Sequence, residues 1–141
     1  WAPTYEALQN YARVTDGSPY DGIMMDYVDP NTGGPVMQTI GASMQMLRPG
    51  EKTKAHRQTG SFVYQCAKGS GYSVINGQRF DWKERDIFVV PAWMYHEHAN
   101  ASDTEDACLF NFNDLPVMRA LGLYREEALG ENDGHQPILS N

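Results

Sequence analysis

With 141 residues the chain suits one domain, long enough to bury roughly 68–70% of its unfolded surface around a single core. Hydrophobic residues make up 41%, a globular rather than disordered composition, and no apolar run approaches the roughly 18 residues of a membrane span. Lys plus Arg number 11 against 18 acidic residues, a formal charge of −7, and the scattered basic residues form no stripe, which argues against a nucleic-acid partner.

The chain opens on Trp1-Ala2-Pro3, with no initiator Met and neither the basic start nor the apolar core of a signal peptide. It therefore reads as a piece of something longer. Pro3 to Val14 is predicted as a short helix, with Pro early, Glu6 in the first turn, and Tyr5, Leu8, Tyr11 and Ala12 spaced to share a face. Asp16-Gly17-Ser18-Pro19 ends it. The turn cluster Asp29 to Pro35 separates two strand-like stretches, Ile23 to Val28 and Ile40 to Leu47. From Ser61 on, short strands alternate with turn residues, the rhythm of an all-β sandwich or barrel. Asn76-Gly77 supplies the two positive-φ positions of a type I′ hairpin turn. Ile87-Phe88-Val89-Val90 is predicted as a strand buried on both faces, ended by Pro91, and Cys108 to Phe112 as a last strand. Asp114 then caps a predicted helix that continues through Met118, Leu121 and Tyr124 to Glu127. Cys66 and Cys108 lie far apart with no CxxC neighbour, so they are expected to be buried free thiols in a reducing, cytoplasmic setting.

The chemistry-bearing residues fall in two groups. Gly50 is followed after five residues by His56-Arg57-Gln58, and Pro91-Ala92-Trp93-Met94-Tyr95-His96 by Asn100 four residues on. If residues 56–58 are extended, His56 and Gln58 leave the same face, and His96 from a later strand can project into the same cavity. The candidate metal ligands are therefore His56, His96 and Gln58. A neutral amide is a weak ligand beside imidazole or carboxylate, so the set is degenerate. The competing reading makes His56 and His96 cavity residues bonded to each other or to water, with no metal. His98, two residues from His96, is either a third ligand or a residue at the cavity mouth. Tyr64, Trp93 and His98 are candidate substrate contacts, although aromatics on alternating strands also fill cores. His135 is expected to be solvated in a tail, Arg57 to be a surface charge, and Met44 and Met46 to be adaptable core.

These two groups resemble the paired metal motifs of a cupin. The usual first motif carries His-x-His and then Glu, and here Gln58 and Phe62 stand at the second His and the Glu. Longer stretches resemble one family in particular, the gentisate 1,2-dioxygenases and their relatives acting on salicylate and hydroxynaphthoate. They include Ser18 to Gly22, Asn31 to Pro35, Leu47 to Glu51, Ala55 to Arg57, Phe88 to Trp93 and Leu121 to Glu127. The resemblance implies an all-β cupin jelly-roll barrel with short N-terminal and C-terminal helices, residues 1–141 forming one cupin domain, the C-terminal half of a bicupin. It implies a parent enzyme that cleaves an aromatic ring bearing carboxylate and hydroxyl, using dioxygen and ferrous iron held by three His. The implied partners are an N-terminal cupin domain of the same polypeptide, a small aromatic acid and further copies of the chain in a homo-oligomer, with no nucleic acid and no membrane. The departures at Gln58 and Phe62 make this module the structural, metal-poor half, its site at His56, His96 and Gln58 degenerate and either weakly occupied or empty, with no catalytic residue of its own. Two alternatives stand beside that reading: a stand-alone metal-binding cupin with its own dioxygenase activity, and a metal-free barrel that binds a small aromatic acid.

Overall fold

The computed structural model describes residues 1–139. Helix α1 (Ala2–Ala12) is followed by strands β1 (Ile23–Asp26), β2 (Gly41–Leu47), β3 (His56–Gln58), β4 (Phe62–Lys68), β5 (Ser70–Ile75), β6 (Gln78–Lys83), β7 (Ile87–Val90), β8 (His96–Asn100) and β9 (Ala107–Asn113). Helix α2 (Leu115–Ala120), strand β10 (Glu126–Ala128) and a 3-10 turn at Asn132–Gly134 complete it. The strands form two five-stranded antiparallel sheets, ordered β1-β2-β9-β4-β7 and β10-β3-β8-β5-β6. The sheets pack face to face. Tyr64 and Phe88 of the first lie against His98 and Trp82 of the second, with ring centroids 4.8 and 6.5 Å apart, inside a cluster that also buries Phe62, Val90 and Leu109.

The closed barrel expected from the sequence does not form. Closure needs a hydrogen-bonded ladder around the whole circumference. Here each sheet ends on its own edge strands, β1 and β7 in one and β10 and β6 in the other, so both sheets are open. Three of those edges are only three or four residues long and offer few backbone groups for a closing ladder. On the β1 side, residues 33–35 and the start of α2 border the space between the sheets instead of a joining strand.

Local signals worked where they concern a few residues. Asn76 at φ 49° and Gly77 at φ 80° make the β5–β6 turn, with Ile75 opposite Gln78. α1 covers β1 and β2 through Leu8, which is fully buried with Ile23, Met44, Met46 and Cys108. That full burial of Leu8 contributes about 1.5–3 kcal/mol.

Two further expectations need correction. The predicted helix to Glu127 stops at Ala120, because Gly122 at φ 68° donates to Arg119 and Leu123 donates to Met118, the paired bonds of a Schellman C-terminus. Glu126–Ala128 is instead extended and pairs with β3. Strand β7 is an edge buried on one face only: Val90 is inside, whereas Ile87 and Val89 are 65% and 53% exposed. Its apolar run belongs to an outer apolar face, where Val63 lies opposite both Val89 and Phe112.

Candidate functional site

His56 and His96 are directly opposed on β3 and β8, so their rings leave the same side of the ladder and lie 4.7 Å apart, both buried. His56 Nδ1 donates to Glu126 Oε1 at 3.2 Å, and its Nε2 lies 3.7 Å from Asp21 Oδ1, so both ring nitrogens face carboxylates. His96 Nδ1 donates to the Met94 carbonyl at 3.1 Å. Burial, reinforced by His56, pushes the His96 imidazole down to about 3, and it is neutral at ordinary pH. Burial raises the Asp21 carboxyl, with His56 opposing and Glu126 adding to the rise. Burial would also raise Glu126, but hydrogen bonds from Tyr124 and His56 bring it below the usual carboxylate range.

The remaining sequence candidates separate. Gln58 Nε2 donates to the Tyr124 hydroxyl at 3.3 Å, which in turn donates to Glu126 Oε2 at 2.8 Å. Phe62 is buried beside His96, at 6.0 Å between centroids. His98 sits under Tyr64 and Phe88, its Nδ1 2.7 Å from Ser73 Oγ. Trp82 Nε1 can only donate, and it does so to Ser73 Oγ at 2.9 Å. Ser73 Oγ and His98 Nδ1 share that hydrogen bond, which leaves only Nε2 of the imidazole outside it. That atom has no hydrogen-bond partner. Trp93 is on the outside, with the Arg57 guanidinium 4.4 Å from its ring, and it holds φ 63°, the left-handed conformation that glycine adopts without strain. Asn100 ties the end of β8 down by donating to the carbonyls of Leu47, Arg48 and Glu105. His135 is not free in a tail, since its Nδ1 bonds Glu97 at 2.7 Å.

This donor set does not fit the ferrous iron that the resemblance implies. A facial site needs three strong ligands around one point. His56 and His96 converge, but Gln58 is engaged by Tyr124, the Glu position holds Phe62, and His98 is bonded to Ser73 and packed against Tyr64 and Phe88. Among the described residues no group of three or more His, Cys, Asp or Glu side chains is arranged to hold a metal ion.

Beside the histidine pair, between the sheets, lies a cavity of about 400 Å³. Of the residues singled out from the sequence, Gln58, Phe62 and Tyr64 line it, and His56, His96, His98 and Trp93 do not. Sequence reasoning missed Asp21, Asp26, Asn111, Asn113, Tyr124 and Glu126, which do. The available signal was the motif Tyr20-Asp21-Gly22 and the glycine at 122, which frees Tyr124 and Glu126 from a helix.

A cupin-domain family model matches residues 43–112. The chain is 48% identical over 122 residues to the 5-aminosalicylate 1,2-dioxygenase of Comamonas sp, covering 86% of this chain and 32% of that protein. It is 36% identical over 111 residues to the 1-hydroxy-2-naphthoate 1,2-dioxygenase of Nocardioides sp. (strain KP7), covering 79% and 29%. Among solved structures, a mutant salicylate 1,2-dioxygenase from Pseudoaminobacter salicylatoxidans in complex with gentisate superposes with a TM-score of 0.82 at 32% identity, covering 93% of this chain and 37% of that one. The chain belongs to the gentisate and salicylate 1,2-dioxygenase family. It spans about a third of the length of the relatives it matches.

Proposed function

We propose that this chain is a structural cupin module, the C-terminal one of two in a polypeptide that cleaves an aromatic ring bearing carboxylate and hydroxyl groups. The observation that carries this reading is the incomplete ligand set in a chain otherwise so similar to ring-cleaving dioxygenases: Gln58 tied to Tyr124, and Phe62 where a carboxylate would stand. The iron-dependent step belongs, on this reading, to an N-terminal cupin of the same polypeptide. The outer apolar face of β7, β4 and β9, with Ile87, Val89 and Phe112 exposed, supports contact with that partner domain. The buried thiols Cys66 and Cys108 support a reducing, cytoplasmic setting.

The test is oxygen uptake by the purified chain supplied with ferrous iron and, in turn, 5-aminosalicylate, gentisate and salicylate. No uptake above the iron-only control is expected, because without a bound metal there is no Lewis acid to activate substrate and dioxygen together. Turnover comparable to that of a full-length relative would overturn the reading and make the chain an enzyme in its own right.

A further inference from the structure

The cavity between the sheets has a charge and a lining that the structural-module reading does not use. Three carboxylates face it, Asp21, Asp26 and Glu126, against one guanidinium, Arg119, which is exposed and stacks over the Tyr124 ring at 5.1 Å. Its walls carry the aromatic rings of Tyr27, Phe62, Tyr64 and Tyr124. Two polar side chains on the inner faces are almost wholly buried and still incompletely bonded. The Tyr64 hydroxyl, on a residue 3% exposed, has no hydrogen-bond partner among the described residues. Asn111, 2% exposed, accepts from Asn113 through Oδ1 but leaves Nδ2 without a partner among the described residues. Both atoms open onto the cavity rather than being sealed away from it, so a ligand there can meet them.

We propose that this cavity is a binding site for a small organic cation, a primary ammonium carried on a compact hydroxylated aromatic frame. The volume lies within the range of small-molecule sites. Aromatic faces and carboxylates together attract an ammonium, the rings through their quadrupoles and the carboxylates through full charge. Asp21, Asp26 and Glu126 line one space, and a cation among them offsets their like charge. The hydroxyl of such a ligand accepts from Asn111 Nδ2 and exchanges a hydrogen bond with Tyr64. An aromatic acid meets the opposite field: its carboxylate would face three of its own charge, with Arg119 at the rim as the only cation on the lining. The inference goes beyond the structural-module reading and does not depend on it, since it needs no iron; His56 borders the site through Asp21 and Glu126 but does not line the cavity.

Three probes share a phenol ring and differ in the charge of the other end: tyramine, 4-ethylphenol and 3-(4-hydroxyphenyl)propionate. Each is titrated at low ionic strength into the full chain, by calorimetry and by amide chemical-shift mapping. Tyramine is expected to give saturable shifts at Tyr64, Asn111 and Gly41, with affinity at least about tenfold above the neutral and the anionic probes. Asp21→Asn and Asp26→Asn are each expected to weaken tyramine by about tenfold, as loss of one partner of a charge pair does. Asp26 is exposed, and its Asn variant can still accept from Ser43, so it keeps the test decisive if Asp21→Asn does not fold. Tyr64→Phe, which removes only the hydroxyl, is expected to weaken tyramine by severalfold. Equal affinity for all three probes, preference for the acid, absence of saturable binding by tyramine, or tyramine binding indifferent to Asp26→Asn would each overturn the proposal.

Discussion

Acid should unfold this protein through its buried histidines before its carboxylates titrate. His96 is held neutral inside the sandwich, its imidazole pushed from 6.5 down to about 3 chiefly by burial. The folded state therefore binds fewer protons than the unfolded chain at every pH between those values, and stability, complete above about 6.5, falls as the pH drops through that window. About pH 5 lies some 1.5 units below the unfolded imidazole's pKa, so the linkage contributes a loss of about 2 kcal/mol, at 1.36 kcal/mol per unit. His98, lowered well below its ordinary value by burial and by His96, acts in the same direction. Glu126, held below its usual range, adds its own loss only further into acid. Asp21 opposes them: its raised carboxyl costs stability when ionised, and protonation relieves that cost. Against a total of about 5–15 kcal/mol for a domain, the net effect is measurable. Urea unfolding followed by circular dichroism at several values from about pH 7.5 to about pH 5 should show a falling midpoint with an unchanged slope. His96→Gln should flatten the profile. A wild-type midpoint that stays constant over that range, matched by His96→Gln, would refute the claim that His96 is buried and neutral.

Gly71→Ala should destabilise the chain by about 3 kcal/mol or prevent folding, because a Cβ at that strand position overlaps the Ala99 carbonyl oxygen and crowds the Trp82 ring at 2.6 Å; thermal unfolding beside wild type checks this. Gln58→His should raise affinity for a divalent ion such as cobalt or iron by at least about tenfold in calorimetric titration, since position 58 shares a strand face with His56; unchanged binding would show that the new imidazole does not reach the pair. Cys66 and Cys108 are buried thiols pushed up to about 11 and about 12, mainly by burial, so the native protein should react with a thiol reagent at neutral pH only at its unfolding rate, and both cysteines promptly in denaturant.

The parts of this protein readable from sequence are those whose cause lies within a few consecutive residues. Asn76-Gly77 forces a tight hairpin because both positions must adopt positive φ. The motif spacing put His56 and His96 on two strands, and the pairing of those strands brings their rings together. Even the end of α2 was written locally, in Gly122, and was misread because the apolar spacing through Tyr124 looks helical until a strand partner competes for the same residues. What tertiary structure alone decided is non-local. Whether the sheets close depends on how many free backbone groups the edge strands offer one another, and β1, β7 and β10 are too short to join. Whether Ile87 and Val89 are buried depends on what packs over the outer face of the sheet, where they stay 65% and 53% exposed. The carboxylates of Asp21, Asp26 and Glu126 come from chain segments about a hundred residues apart, and only the register of β10 on β3 and of β1 on β2 sets them around one cavity. A side chain's local conformation is determined by its own backbone and neighbours, but the field it feels is determined by whatever the fold places opposite it.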